Sequence, residues 1–268
     1  VPSELSLRYA PWSISKLGQA ENCPRQFELK HILKKTEEEA AARSETRVGV
    51  AAHAVLERRI LGVDADVAVA MALEKTALTV NEKDMLSFLD EEIESFLRRL
   101  DAFCQRNGAV ERFVERKWAI RYDGTSTGFF DNDVFFRGVV DLGILTKNKD
   151  LFVIDHKSGK AKDPKKYYWK QLHAYCVLGA ANIPGIDGVR PGIHYLQGDE
   201  AQRIQWLDYK NIKDISDKML PWLLEYVDGC AGNLASFEAR PRQPWPCSWC
   251  GYRGGCEPFQ EMTRAQEA

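Results

Sequence analysis

Two short runs in the middle of the chain place charge inside otherwise apolar strands. Gly138-Val139-Val140-Asp141 and Ile154-Asp155-His156-Lys157 each read as β-strand until an aspartate interrupts them. An unpaired carboxylate is costly to bury, so charges at such positions imply a task. Asp155 and Lys157 are two apart and project from one strand face. Asp141 joins that face if it lies opposite Asp155. Their midpoint is residue 148, which requires a loop of three or five residues, or a bulge. Two carboxylates and an ammonium on one face suit a hard cation, Mg²⁺ or Mn²⁺, which keeps positions open for water and a phosphate oxygen. Alone, the D-x-K spacing also fits a plain ion pair of Asp155 with Lys157 or Lys160.

The surroundings favour the first reading. His53 lies on a helix with Val50, Ala54 and Glu57 at turn spacing. Its neutral imidazole would complete the site and bias it towards Mn²⁺, although a lone helical histidine is more often a packing residue. Gln171 and Tyr175 are four apart and share a helical face with Tyr168. Between Lys157 and Lys170 six lysines, including Lys160 and Lys166, face only Asp163, and they interleave with Tyr167, Tyr168 and Trp169. Charge for phosphates and rings for bases suit a nucleic-acid strand; a solvated helix start would look similar.

A second constellation is separate. The chain has seven cysteines, an odd number, so a complete disulfide framework is impossible. Cys247-x2-Cys250-x5-Cys256 lies among prolines and glycines, in a segment able to wrap a metal. Three thiolates leave one ligand to find. Cys104 and Cys176 read as small buried apolar residues.

In their order along the chain these residues resemble the PD-(D/E)xK nuclease superfamily, in its RecB-like exonuclease branch. There a helical His, a G-x-x-D strand, a D-x-K strand and a Q-x-x-x-Y helix follow one another, here His53, Gly138 to Asp141, Asp155 to Lys157 and Gln171 to Tyr175. The superfamily's proline is replaced by Val140, as in many RecB-like members. The resemblance implies metal ligands in His53, Asp141, Asp155 and the backbone carbonyl of His156. It implies a catalytic Lys157 and DNA contacts from Gln171 and Tyr175, to which the basic segment adds Tyr168, Lys160 and Lys166. Glu115, on the preceding strand, is a loosely held further candidate. Cys23, in Glu21-Asn22-Cys23-Pro24, resembles the single N-terminal cysteine of the branch's iron–sulfur members, the CRISPR-associated exonucleases and AddB-type nuclease domains. The implied cofactor is a [4Fe–4S] cluster on Cys23, Cys247, Cys250 and Cys256, with structural Zn²⁺ as the alternative.

The elements that must position these groups are legible in outline. The first sixty residues read as helix and loop, with Ser13 or Ser15 as an early cap and a solvated acidic stretch at Thr36–Glu39, and residues 65–107 read as all-helical with Gly108 as a stop. Strands follow at Phe113–Ile120, Val134–Leu145 and Leu151–Lys157. A helix from Asp163-Pro164 to Leu178, strands at Gly192–Gln197 and Arg203–Leu207, a helix over Ile215–Tyr226 and a loop-like tail complete the chain. The expected fold is mixed α/β, a central mixed sheet flanked by helices with a restriction-endonuclease-like core. It is read as one domain over 1–268, with a helical insert at about 65–108 and a clasp made by 1–35 and 235–268.

With 268 residues, 44% apolar and 28% charged, the composition is that of a soluble globule. There is no apolar run of membrane-spanning length and no signal peptide, so membrane, collagen-like and wholly disordered chains are excluded and a reducing cytoplasmic setting is expected. A net charge of −2 excludes a chain coated in basic charge, so a polyanion must be held by a local patch. The expected activity is metal-dependent DNA exonuclease, on single-stranded DNA or a free end. The rivals are a catalytically silent DNA-binding subunit of a helicase-nuclease or integration complex, and a zinc-stapled interaction protein. Helicase partners and homo-oligomers stay open.

Overall fold

The computed structural model describes residues 1–37, 44–76, 78–87, 89–197, 203–242, 247 and 250–267. The chain divides into two compact units, Arg43–Pro221 and a second made from both ends, Val1–Ala42 with Trp222–Ala268.

In the chain-end unit, α1 (Glu4–Arg8) and α2 (Ile14–Asn22) are capped by Ser3 and Ser13, whose hydroxyls accept amides of the first turn. Helix α3 (Pro24–Phe27) starts on a proline and widens into a π turn over Glu28–Ile32. Phe27 and Trp12 are fully buried side by side, and Trp12 Nε1 donates to Ser6 O at 2.7 Å.

The larger unit begins with helices α4 (Ser44–Ile60), α5 (Ala65–Thr76), α6 (Val80–Ser87) and α7 (Asp90–Asn107). Thr79 and Glu82 form a reciprocal capping box at the start of α6. Gly108 ends α7 in the left-handed conformation, at φ 59°. The expected helical stretch is present, but its apolar side is not a separate layer. Leu86, Ile93, Phe96 and Leu100 share one buried core with Ala52 and Leu56 of α4 and with Leu142, Ile144 and Ile154 of the sheet.

The sheet consists of β1 (Ala109–Ile120), β2 (Phe136–Thr146), β3 (Asp150–Lys160), β4 (Gly188–Gln197) and β5 (Ile204–Trp206), in that spatial order, with β6 (Lys210–Asn211) also on β4. Pairing is antiparallel except for β3 with β4, which is parallel. A parallel pair needs a crossover, here α8 (Pro164–Tyr167) and α9 (Trp169–Asn182). Helix α9 covers the face opposite α4 and α7, and Gly179 makes the approach possible, since a Cβ there would stand 2.7 Å from Leu151 Cδ2. The fold is therefore mixed α/β with helices on both faces of a mixed sheet.

Several boundaries differ from those expected. The helix over 163–178 is broken at Tyr168 (φ −123°, ψ 1°), leaving one turn capped by Asp163 before α9. The helix at Ile215 starts as a π turn after the short α10 (Ile212–Asp214), then continues without a break as α11 (Leu220–Gly232), and the wide turn immediately precedes Pro221, which has no amide to donate to the turn before it. The tail ends in a helix, α12 (Glu257–Glu267), rather than a loop. Pro244, Pro246, Glu38 and Glu39 lie outside the described residues.

Candidate active site

The hairpin register is the one that the chemistry required. Leu142 pairs with Ile154 and Leu145 with Leu151, about a centre at residue 148, and three residues separate β2 from β3. Extending that ladder puts Asp141 opposite Asp155. The main-chain pairing stops at Leu142, however, and the next amide of β3 is taken by a side chain: His156 N donates to Asp141 Oδ2 at 2.7 Å. The two strands part where the acids stand.

A backbone irregularity turns Asp141 towards this opening. Glu115 of β1, which faces Asp141 across the ladder, has φ 48°, an uncommon left-handed setting for a side-chain-bearing residue. Residues five apart on a regular strand point to opposite faces. Phe113 and Trp118 are instead ring neighbours at 6.2 Å, so β1 changes face between them. Strand β2 changes with it. Gly138 lies under Tyr175 and Leu178 of α9, whereas Leu142, of the same parity, lies in the α4–α7 core.

Asp155 is 2% exposed. Its Oδ1 accepts from Gln171 Nε2 at 2.7 Å and lies 3.3 Å from the Tyr175 hydroxyl. Its Oδ2 lies 2.6 Å from Lys157 Nζ but off the axis of a hydrogen bond, and has no other partner. Lys157 Nζ also reaches Gln171 Oε1 at 3.3 Å and sits 5.1 Å above the Tyr168 ring. His53 Nδ1 on α4 is 3.8 Å from Asp141 Oδ2. Burial and then the neighbouring Asp155 hold the Asp141 carboxyl well above the usual range, against the pull of the His156 amide and Lys157. Burial likewise lowers His53, which favours the neutral imidazole, although Asp155 opposes it.

Not every expected residue gathers here in its expected posture. Tyr175, read as a DNA contact, is buried, because its hydroxyl is drawn inward to Val139 O at 3.0 Å and to Asp155. The His156 imidazole points away from the acids, to His194 Nδ1 at 2.9 Å, and His194 Nε2 in turn meets Glu92 at 3.2 Å. Lys160 and Lys166 are exposed and outside the cluster, with Lys166 over the Tyr167 ring. Glu57 and Glu115 do face it: burial, then Glu57 and Asp155, raise the Glu115 carboxyl. The i, i+4 spacing of His53 and Glu57 is the one sequence signal that places Glu57 on the same helical face as the histidine.

In the chain-end unit, Cys23, Cys247, Cys250 and Cys256 line one narrow cavity with Leu29, Pro241, Tyr252 and Phe259. None of the four is in a disulfide. Burial first, and the neighbouring sulfurs after it, raise the thiols of Cys247 and Cys250. Cys176 and Cys230 are buried as packing residues, whereas Cys104 is only half-buried. Among the described residues no three His, Cys, Asp or Glu side chains are gathered closely enough to hold a metal ion as they stand. No described helix is long and apolar enough to cross a membrane.

A mixed sheet flanked by helices, whose central antiparallel pair opens around two aspartates and a lysine, defines a restriction-endonuclease-like nuclease fold. The PD-(D/E)XK nuclease superfamily matches residues 11–257, and the chain belongs to that superfamily. Among solved structures, the chain is similar to a Eubacterium rectale protein provisionally named an exonuclease, with a TM-score of 0.52 at 10% identity over 96% of this chain and 90% of that one. At that identity the likeness speaks for the fold. The crystal structure of SSO0001 aligns over 88% of this chain and 95% of its own at 16% identity, but its TM-score of 0.34 carries no argument. No curated protein matches the chain.

Proposed function

We propose that this nuclease is a divalent-cation-dependent DNA exonuclease that works from the ends of single-stranded DNA. The observation that carries the reading is Asp155 Oδ2, a buried carboxylate oxygen with no hydrogen bond, ion-paired to Lys157 beside the His53–Asp141 pair. Two mutually repelling carboxylates beside an uncharged imidazole are a donor set that fits Mg²⁺ or Mn²⁺. Asp141, Asp155, His53 and the His156 carbonyl would hold the cation. When bound, it would make water a stronger nucleophile at neutral pH and offset charge on the phosphate oxygens.

The protein groups divide the remaining work. Gln171 and Tyr175 hold Asp155 in one rotamer, so their role is to position the acid, and DNA contact falls to Tyr168 and the exposed lysines. The Lys157 ammonium has no lone pair for metal and stands ready to stabilise charge that grows on the phosphate during cleavage. Lys160 and Lys166 would add strand contacts that depend on salt.

The cysteine cavity supports a [4Fe–4S] cluster as a structural clasp, since four unbridged thiols around one cavity match its ligand number. Zn²⁺ is the competing occupant, separated by metal analysis and by a brown colour in aerobically purified protein. Digestion of end-labelled single- and double-stranded DNA with Mg²⁺, Mn²⁺ or EDTA tests the main reading. Stepwise shortening of single strands that stops in EDTA is expected. Unreduced cutting in EDTA would overturn it, and DNA binding without any cutting would favour the silent subunit.

A further inference from the structure

The segment between β1 and β2 is built more tightly than a connection needs. Arg121 N donates to Thr125 O at 2.9 Å, Thr127 N to Ala119 O at 3.2 Å and Gly128 N to Asp131 Oδ2 at 2.9 Å. Thr127 Oγ1 reaches both Asp131 and Asp133, at 3.0 and 2.9 Å, while the Arg121 guanidinium ties Asp133 to Ser126 O. Gly124, at φ 82°, lets the turn close against the Leu220 side chain.

The product of this bracing is a phenyl ring held in water. Phe130 is 76% exposed and stands edge-to-face on the half-buried Phe129, with centroids 5.1 Å apart. Lys117 Nζ lies 5.4 Å from the Phe130 ring and 5.8 Å from that of Phe129. Arg137 Cζ lies 4.8 Å from the Phe129 ring, and the side chain donates to Phe129 O at 3.1 Å. Among the described residues neither cation has a carboxylate partner. A single exposed apolar residue needs no explanation. Two rings on a locked loop, with two uncompensated cations beside them, do.

We propose that Phe129 and Phe130, with Lys117 and Arg137, form a stacking platform for an unpaired stretch of the substrate strand, a few nucleotides from the bond that is cut. Every base has a π face for the exposed ring, and the cations match the phosphates on either side of it. A rigid loop loses little further freedom when the base arrives. The spacing is suitable. Arg137 precedes Asp141 by four residues on β2, about 13 Å of strand at the usual rise, or about four stacked nucleotides. The inference rests on the nuclease reading and adds to it where the strand is gripped.

The test compares wild type, Phe130→Ala and Phe130→Trp, all full-length, for anisotropy binding of labelled single-stranded and blunt duplex oligonucleotides in EDTA, and for kcat and KM with Mn²⁺. Because Phe130 is exposed, both variants should melt as wild type does. Phe130→Ala should bind single strands about tenfold more weakly and raise KM with kcat nearly unchanged. Phe130→Trp should restore both, and duplex binding should not move. Equal loss on single strands and duplex, or no loss on either, overturns the platform while the nuclease reading stands on wild-type cutting. Wild-type protein that neither binds nor cuts DNA overturns both.

Discussion

The acid cluster and the cysteine cavity, the two places proposed to take metal, are built on opposite principles. Asp155 and Asp141 grow from adjacent strands of one sheet, and each is held by protein groups: Gln171 and Tyr175 on Asp155, the His156 amide on Asp141. The cysteines come from both ends of the chain and sit at helix ends and short turns, where the hydrogen bonds to their thiols come from the backbone, Arg242 N to Cys247 Sγ and Tyr252 to Cys250. The two acids are therefore positioned by sheet and hydrogen bonds, although among the described residues the donors around them do not stand close enough together to hold a metal ion as they are. A cluster or metal bound by the cysteines, as proposed above, would set more of the geometry there and would couple its binding to folding of the chain ends. Mutations in the acid cluster should therefore harm chemistry, and mutations among the cysteines should harm structure.

The largest expected effect is on cutting. Asp155→Asn nearly keeps the shape and the Gln171 contact but removes a charge, so turnover should fall by at least about a thousandfold with melting little changed. A folded variant that still cuts would break the comparison at its first term. Lys157→Ala should cost about a hundredfold in kcat, with single-strand affinity in EDTA moving little, since one phosphate contact among many is a small share of binding. Weak binding with normal turnover at saturation would reassign the lysine.

Cys256→Ala probes the other side. It should lose colour and iron, lower the melting temperature by on the order of 10 °C and expose α12 to protease, with activity lost only as the protein unfolds. Wild-type melting with lost cleavage would give the thiol site a part in the chemistry. The smallest effect sharpens the contrast. Asp141→Asn removes the repulsion between buried carboxylates yet retains an acceptor for the His156 amide. In EDTA it should melt about 2–4 °C higher than wild type while cutting is lost, because holding two carboxylates together costs stability. An unchanged or lower melting point would mean that the pair is not strained.

Much of this was legible along the chain. The midpoint of Asp141 and Asp155 required a short odd loop, and β2 and β3 meet about residue 148. The caps at Ser13, Asp163 and Gly108 are where the residue types put them. Gln171 and Tyr175 share one helical face, as their spacing demanded, although that face turns inward. These features follow from local rules, periods of two and 3.6 and the hydrogen-bonding habits of single residues, which act within a few positions of the chain. What tertiary structure decided lies between segments far apart. Glu92 and His194 are 102 residues apart and meet behind the site, with no local pattern to announce them. The same holds for Glu57 and Glu115 at the cluster, for the change of face that lets Asp141 look into the opening, and for the break at Tyr168 that brings its ring beneath Lys157. Each of these depends on which surfaces are buried against one another, and burial is a property of the packed molecule that no short window of sequence contains.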